Sequence, residues 1–125
     1  MNNRRSGLLG EDGAMNYLIG KGYKMLERNY NGRHGEIDLI MLDKDTLVFV
    51  EVKARENTKF GTPEEAITTA KMRNIISVAM EYVKKHRYFD MNMRFDVVAI
   101  LRDNVNHIKN AFDFNMADYP SKYRF

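Results

Sequence analysis

Two short apolar runs, residues 36–42 and 47–53, flank the polar stretch Asp43-Lys44-Asp45-Thr46, and this pattern restricts the middle of the chain to a β-hairpin. Closing the loop at Lys44-Asp45, or across all four residues, sets Leu42 opposite Leu47, Ile40 opposite Phe49, Asp38 opposite Glu51 and Glu36 opposite Lys53. Side chains alternate along a strand, so these residues share one face. Its apolar end belongs in a core. Its other end carries two carboxylates with Cβ atoms about 5 Å apart, which destabilises a sheet unless positive charge lies between them.

Mg²⁺ is held by one or two carboxylates together with waters and phosphate oxygens, so an opposed Asp-Glu pair suits it. Lys53, two residues past Glu51 on the same face, adds a cation able to orient or help deprotonate a water. Acid, acid and lysine thus suggest metal-assisted hydrolysis of a phosphodiester. Spacing alone equally describes a solvent-facing salt-bridge cluster on a half-exposed hairpin.

The segments GEIDLI (residues 35–40) and FVEVKAR (49–55), with Gly10-Glu11 upstream and RFDVVAI (94–100) downstream, closely resemble the YraN-like family of predicted bacterial nucleases. That family is itself distantly similar to the archaeal Holliday junction resolvases. The resemblance spans about residues 10–112 and implies an α/β, restriction-endonuclease-like three-layer domain, with a mixed central β-sheet flanked by helices in the order αβββαββ. Its hallmark, an Asp followed by Glu-x-Lys on adjacent strands, falls on Asp38, Glu51 and Lys53, with Glu11 of the first helix as a fourth member. Ile37 stands where the fold often has a Pro before the Asp. In this reading Asp38 and Glu51, with the Val52 carbonyl, hold Mg²⁺ or Mn²⁺. Glu11 completes the site and Lys53 positions the attacking water. The likeness to resolvases implies nucleic acid, in particular branched DNA, as substrate, and a homodimer.

Along the rest of the chain, residues 6–20 carry Leu8, Met15 and Leu18 at helical spacing and end at Gly20-Lys21-Gly22. Glu11 falls on that apolar stripe, either leaning toward the hairpin acids or lying at a solvated edge. A strand is expected over residues 23–30, then a tight turn at Asn31-Gly32. Arg33 follows, as a phosphate contact or a solvated turn residue; His34, without a second His or Cys beside it, is not a convincing metal ligand. Residues 54–61 lack periodicity and read as a loop beside the second hairpin strand. Arg55 and Lys59 there are either phosphate contacts or solubilising charges.

Thr62-Pro63-Glu64-Glu65 has the form of a capping box and predicts a helix over residues 62–85. Its end, Lys84 to Arg87, complements the helix dipole. Lys71 and Arg73 lie in mid-helix on this reading; the resemblance makes them a basic cluster near the substrate, and a solvated face accounts for them as well. Residues 95–101 form a nearly continuous apolar strand joined to the hairpin by a parallel crossover. Asp96 within it is expected to be a paired buried charge rather than a site residue. A last strand is expected over residues 105–111. The tail, residues 113–125, has four aromatic residues and no period.

The 125 residues, 44% hydrophobic and 30% charged, suffice for one domain (1–125, core 6–112). With no Cys there is neither a disulfide nor a thiolate zinc site, and a reducing, cytoplasmic setting is expected. The two-leucine stretch before Glu11 is too short for a signal peptide, and no run reaches membrane-spanning length, so no membrane partner is expected. A net charge of +3 and a pI near 9.1 fit a nucleic-acid partner without demanding one. The chain has no glycine-rich phosphate cradle, which counts against chemistry on a free nucleotide. Two functions from different classes remain: a Mg²⁺- or Mn²⁺-dependent endonuclease, and a non-catalytic nucleic-acid-binding or scaffold module with a nuclease fold. The retained acids count against the second, since negative charge beside phosphate weakens binding.

Overall fold

A computed structural model describes residues 10–113. Five strands form, β1 (Lys24–Gly32), β2 (Gly35–Asp43), β3 (Thr46–Arg55), β4 (Asn92–Leu101) and β5 (Asn104–Phe112). Helix α1 (Glu11–Gly20) precedes β1, and helix α2 (Thr69–His86) joins β3 to β4. The sheet order is β1-β2-β3-β4-β5, antiparallel except for β3 and β4. Helix α2 is the crossover that this parallel pair requires. The architecture is therefore α/β with a mixed five-stranded sheet.

Alternation along the strands sorts the apolar residues into two cores. Toward α2, Ile40, Leu47, Phe49, Phe95 and Val97 pack with Ile75, Ala79 and Tyr82. Toward α1, Leu39, Met41, Val48, Val50 and Val98 pack with Ala14 and Leu18. Strand β3 is buried continuously from Leu47 to Val52, as a central strand covered on both faces must be. Each large side chain so enclosed contributes about 1.5–3 kcal/mol of hydrophobic stabilisation. Glu51 lies within this run and therefore starts from a dry position.

The hairpin forms around Lys44-Asp45, with Leu42 paired to Leu47 and Ile40 to Phe49. Its ladder ends at Leu39 and Val50, so the expected pairings of Asp38 with Glu51 and Glu36 with Lys53 do not occur as ladder partners. The turn expected at Asn31-Gly32 also lies elsewhere: β1 continues through both residues, Gly32 pairs with Gly35, and Arg33-His34 make the loop. Gly32 is a close-approach residue, because a Cβ there would stand 2.7 Å from Val78 Cγ1 of α2.

The predicted helix over residues 62–85 is two elements. The capping box is real: Glu65 N–H donates to Thr62 Oγ1 at 3.2 Å, and Thr62 N–H donates to Glu65 Oε1 at 2.7 Å. It caps only a single 3₁₀ turn, Glu64–Ala66. Ile67 then leaves helical geometry (φ −88°, ψ 90°) and buries its side chain in the core. Thr68 caps α2 afresh, accepting from Lys71 N–H at 3.2 Å. The helix closes with Lys84, Lys85 and His86, and Arg87 turns out of it with φ 60°.

Asp96 is a paired charge. Arg94 donates to it at 2.9 and 3.1 Å, Asn110 N–H donates at 3.0 Å, and His107 Nε2 lies 2.8 Å away. Arg94 also donates to Asp43 and Tyr23, tying β2, β4 and the start of β1 together. Burial works against the Asp96 charge, but the hydrogen bonds from His107, Arg94 and Asn110 hold its carboxyl below the usual carboxylate range. Of the other expected segments, residues 6–9 of the first helix and the tail from residue 114 lie outside the described residues.

Candidate active site

Where β2 parts from β3, the Val52 N–H is left without a ladder carbonyl. Asp38 takes that place: its Oδ2 accepts from Val52 N–H at 2.7 Å. The hydrogen bond fixes the Asp38 carboxylate against β3, beside Glu51. Splaying of the two strands thus brings the acids together by a side-chain bond rather than by register.

Glu51 is only 7% exposed. Burial first, then the charge of Asp38 and a hydrogen bond shared with it, push its carboxyl up to about 8; Lys71 and Lys53 oppose that rise. Its Oε1 is buried with no hydrogen-bond partner, and its Oε2 lies 3.8 Å from Lys71 Nζ. A buried carboxylate oxygen without a donor is costly and rare in a native structure.

Lys53 lies on the same face of β3. Its amine is held below the ordinary lysine range, chiefly by a hydrogen bond with the Lys71 amine, then by burial and the Lys71 charge. Because α2 begins at Thr69, Lys71 stands in its first turn and not in mid-helix. A cation there opposes the helix dipole, so its place is set by Glu51 rather than by the helix. A cavity of about 310 Å³ is lined by Glu36, Asp38, Glu51, Lys53 and Lys71, together with His34 and Asn74.

Asp38 also belongs to a second acidic group. One carboxylate oxygen each of Glu11, Glu36 and Asp38 lie within 4.8 Å of one another. Glu11 is also paired with Arg28, at 3.4 Å, and it does not line the Glu51 cavity. Asp38 and Glu36 are therefore common to both groups, lining the Glu51 cavity and lying close to Glu11. Sequence reasoning passed over Glu36 as a site residue, although its place two residues before Asp38, on the same strand face, was a usable signal.

The remaining basic residues stand apart from this cavity. Arg33 donates its backbone N–H to both oxygens of Glu81, at 3.1 and 3.2 Å, and borders a separate groove of about 520 Å³ that includes Lys84. Arg55 and Lys59 line a third hollow, of about 340 Å³, in the loop after β3. Arg73 lies on α2, half-buried, and does not line the acid cavity.

Comparison with known proteins finds relatives of this chain in several organisms. Residues 10–100 match the model of the uncharacterised protein family UPF0102. A UPF0102 protein of Syntrophomonas wolfei is 49% identical over 114 residues, covering 88% of this chain and 99% of the relative. One from Persephonella marina is 46% identical over 85% of this chain and 91% of its own length. A third, from Clostridioides difficile, is 46% identical over 90% of this chain and its whole length.

Proposed function

The chain belongs to the uncharacterised protein family UPF0102, and we propose that it is a Mg²⁺- or Mn²⁺-dependent endonuclease with a restriction-endonuclease-like fold, hydrolysing phosphodiester bonds of DNA. The observation that carries this reading is Glu51: a buried carboxyl pushed up to about 8 beside a second carboxylate, with one oxygen lacking any donor. A divalent cation is the partner that such a pair lacks. The donor set fits one, since Asp38 and Glu51 supply hard oxygen ligands, Glu36 lines the same cavity and Glu11 lies close to Asp38, and the resemblance adds the Val52 carbonyl as a further ligand. Bound there, the cation supplies Lewis-acid polarisation of the phosphodiester and stabilises charge on the departing oxygen.

The chain's own residues do the rest. Asp38, held by Val52 N–H, keeps its carboxylate aimed at the site. Lys53 Nζ, with its proton affinity lowered, orients the attacking water and accepts its proton more readily at neutral pH than an ordinary lysine does. Lys71 holds Glu51 in place and attracts a substrate phosphate. Resemblance of the GEIDLI and FVEVKAR segments to the YraN-like nucleases supports the same roles. Through the archaeal resolvases it adds branched DNA and a homodimer to the proposal.

A second reading, a binding or scaffold module, draws on the Lys71–Glu51 contact, because two acids and two lysines are able to neutralise one another without a metal. Calorimetric titration with Mg²⁺ and Mn²⁺, followed by cleavage assays on single-stranded, duplex and branched DNA, separates the two. We expect binding heat and cleavage in the natural protein, and neither in Asp38→Asn or Glu51→Gln. Full cleavage by Asp38→Asn removes its metal role. No binding heat, even with an uncleavable DNA present to supply phosphate ligands, leaves the scaffold reading.

A further inference from the structure

The loop between β3 and the 3₁₀ turn leaves Phe60 88% exposed, more than any other large apolar side chain among the described residues. Its backbone is nevertheless fastened. Lys59 N–H donates to Asn57 Oδ1 at 2.9 Å and Gly61 N–H to Thr58 O at 3.1 Å. From the turn between β4 and β5, Arg102 donates its N–H to Arg55 O at 2.9 Å and its Nε to Glu56 O at 3.0 Å. Gly61, at φ +102°, reverses the chain so that Pro63 and Ile67 go inward while Phe60 stays out. An aromatic ring held in water by a braced loop has no packing role within the described chain.

What surrounds it points to its partner. Phe60 borders the hollow of about 340 Å³ that it shares with Arg55 and Lys59, whose two cations outweigh the carboxylate of Glu56. Arg55 is two residues past Lys53 on β3, hence on the same strand face and about 7 Å along it. An aromatic face beside cations, one strand step from a site that handles phosphodiesters, is the composition of surfaces that bind single strands: cations track the backbone and a ring stacks a base. Inside a duplex both faces of each base are covered by its neighbours, so a ring reaches a base face without an unstacking cost only where the strand is unpaired.

We propose that Phe60 is a stacking platform for an unpaired base of the substrate DNA next to the phosphate to be cleaved, with Arg55 and Lys59 gripping the adjoining backbone. Its placement rests on the endonuclease reading, and it makes the preferred substrate single-stranded or locally unpaired DNA rather than continuous duplex.

The test uses the full chain, with Ca²⁺ in place of Mg²⁺ to hold off cleavage, and a short DNA strand carrying the fluorescent base 2-aminopurine. The same strand in the interior of a duplex, and an RNA strand of matching sequence, serve as comparisons. The natural protein is expected to quench the single-strand fluorescence. Phe60→Ala should lose the quenching and bind about ten-fold more weakly, Phe60→Trp should restore both, and duplex affinity should be equal in all three. An exposed ring contributes little to folding, so Phe60→Ala should melt with the natural protein. Unchanged affinity and quenching in Phe60→Ala, or dependence on Phe60 confined to RNA, overturns the proposal. Cleavage assays in Mg²⁺ separate it from the reading beneath it. Phe60-dependent strand binding without cleavage upholds the platform and removes the endonuclease; cleavage of strand and duplex alike, indifferent to Phe60→Ala, does the reverse.

Discussion

Asp38 Oδ2 accepts a 2.7 Å hydrogen bond from the backbone N–H of Val52, the residue that follows Glu51. A side chain here replaces the carbonyl that β2 withdraws, so Asp38 serves the sheet as well as the site. Asp38→Asn keeps a carbonyl oxygen in that position and Asp38→Ala does not. Urea denaturation should find the Asn variant within about 1 kcal/mol of the natural protein and the Ala variant about 1–3 kcal/mol less stable. Equal losses in both would mean that the bond contributes nothing to folding.

Glu51 makes stability depend on pH in an unusual direction for an acid. Burial, then the charge of Asp38, push its folded-state carboxyl up to about 8, against 4.5 ordinarily, so over the range between them the folded chain holds a proton that the unfolded chain has released. Between those values stability falls as pH rises. It is complete below about pH 4.5 for this group and is lost as pH passes through 8. Denaturation at a series of pH values should show a decline on the order of 1–3 kcal/mol that Glu51→Gln abolishes. A rise in stability over the same range would contradict the assignment.

The same proton competes with a divalent cation. Thermal stabilisation by Mg²⁺ or Mn²⁺ should be small near about pH 6 and grow toward about pH 8.5, because a ligand must be deprotonated to bind. Glu51→Gln should show no such growth. A shift in melting temperature independent of pH would place the cation elsewhere on the protein.

Lys71 lowers the proton affinity of Lys53 more than any other group does. Replacing it by Met keeps much of the side-chain volume and removes the charge. Amine titration by NMR should then find Lys53 shifted up, toward the ordinary lysine value, and Glu51 shifted up as well, because Lys71 holds that carboxyl down. Under the proposed mechanism, the alkaline rise of the cleavage rate moves to higher pH in this variant. A merely structural Lys71 would leave both titrations unmoved.

Asp96 lies outside the site and within the fold's polar core. Asp96→Ala removes the acceptor that Arg94 and His107 share, leaving Asp43 as the only carboxylate paired with Arg94 among the described residues. The expected loss is about 3–5 kcal/mol, the usual consequence of breaking a buried ion pair from one side. Urea unfolding measures it. Cation binding by whatever fraction stays folded should be unchanged, since none of these residues borders the acid cavity.

Patterns a few residues long settled much of this protein. Alternation and a four-residue polar stretch placed Leu42 against Leu47 and Ile40 against Phe49, and an acid inside the apolar run 95–101 announced a paired charge at Asp96. The Thr62–Glu65 capping box was equally legible, yet the helix it announced stopped after one turn, because Ile67 gains more by entering the core than by continuing a helix. That interruption moved the true cap to Thr68 and carried Lys71 from mid-helix to the first turn, over Glu51. The Asp38–Val52 bond and the nearness of Glu36 to Glu11 came likewise from strands that part and a helix that crosses them. The sequence by itself determined which residues bear charge and the register of the hairpin's apolar end, whereas the alternation it implied breaks along β2, where Ile37 and Ile40 enter the same core. Only the tertiary structure decided how Glu51 and Lys53 hold their protons, because proton affinity depends on burial and on charges brought close from distant elements, and no local pattern contains either.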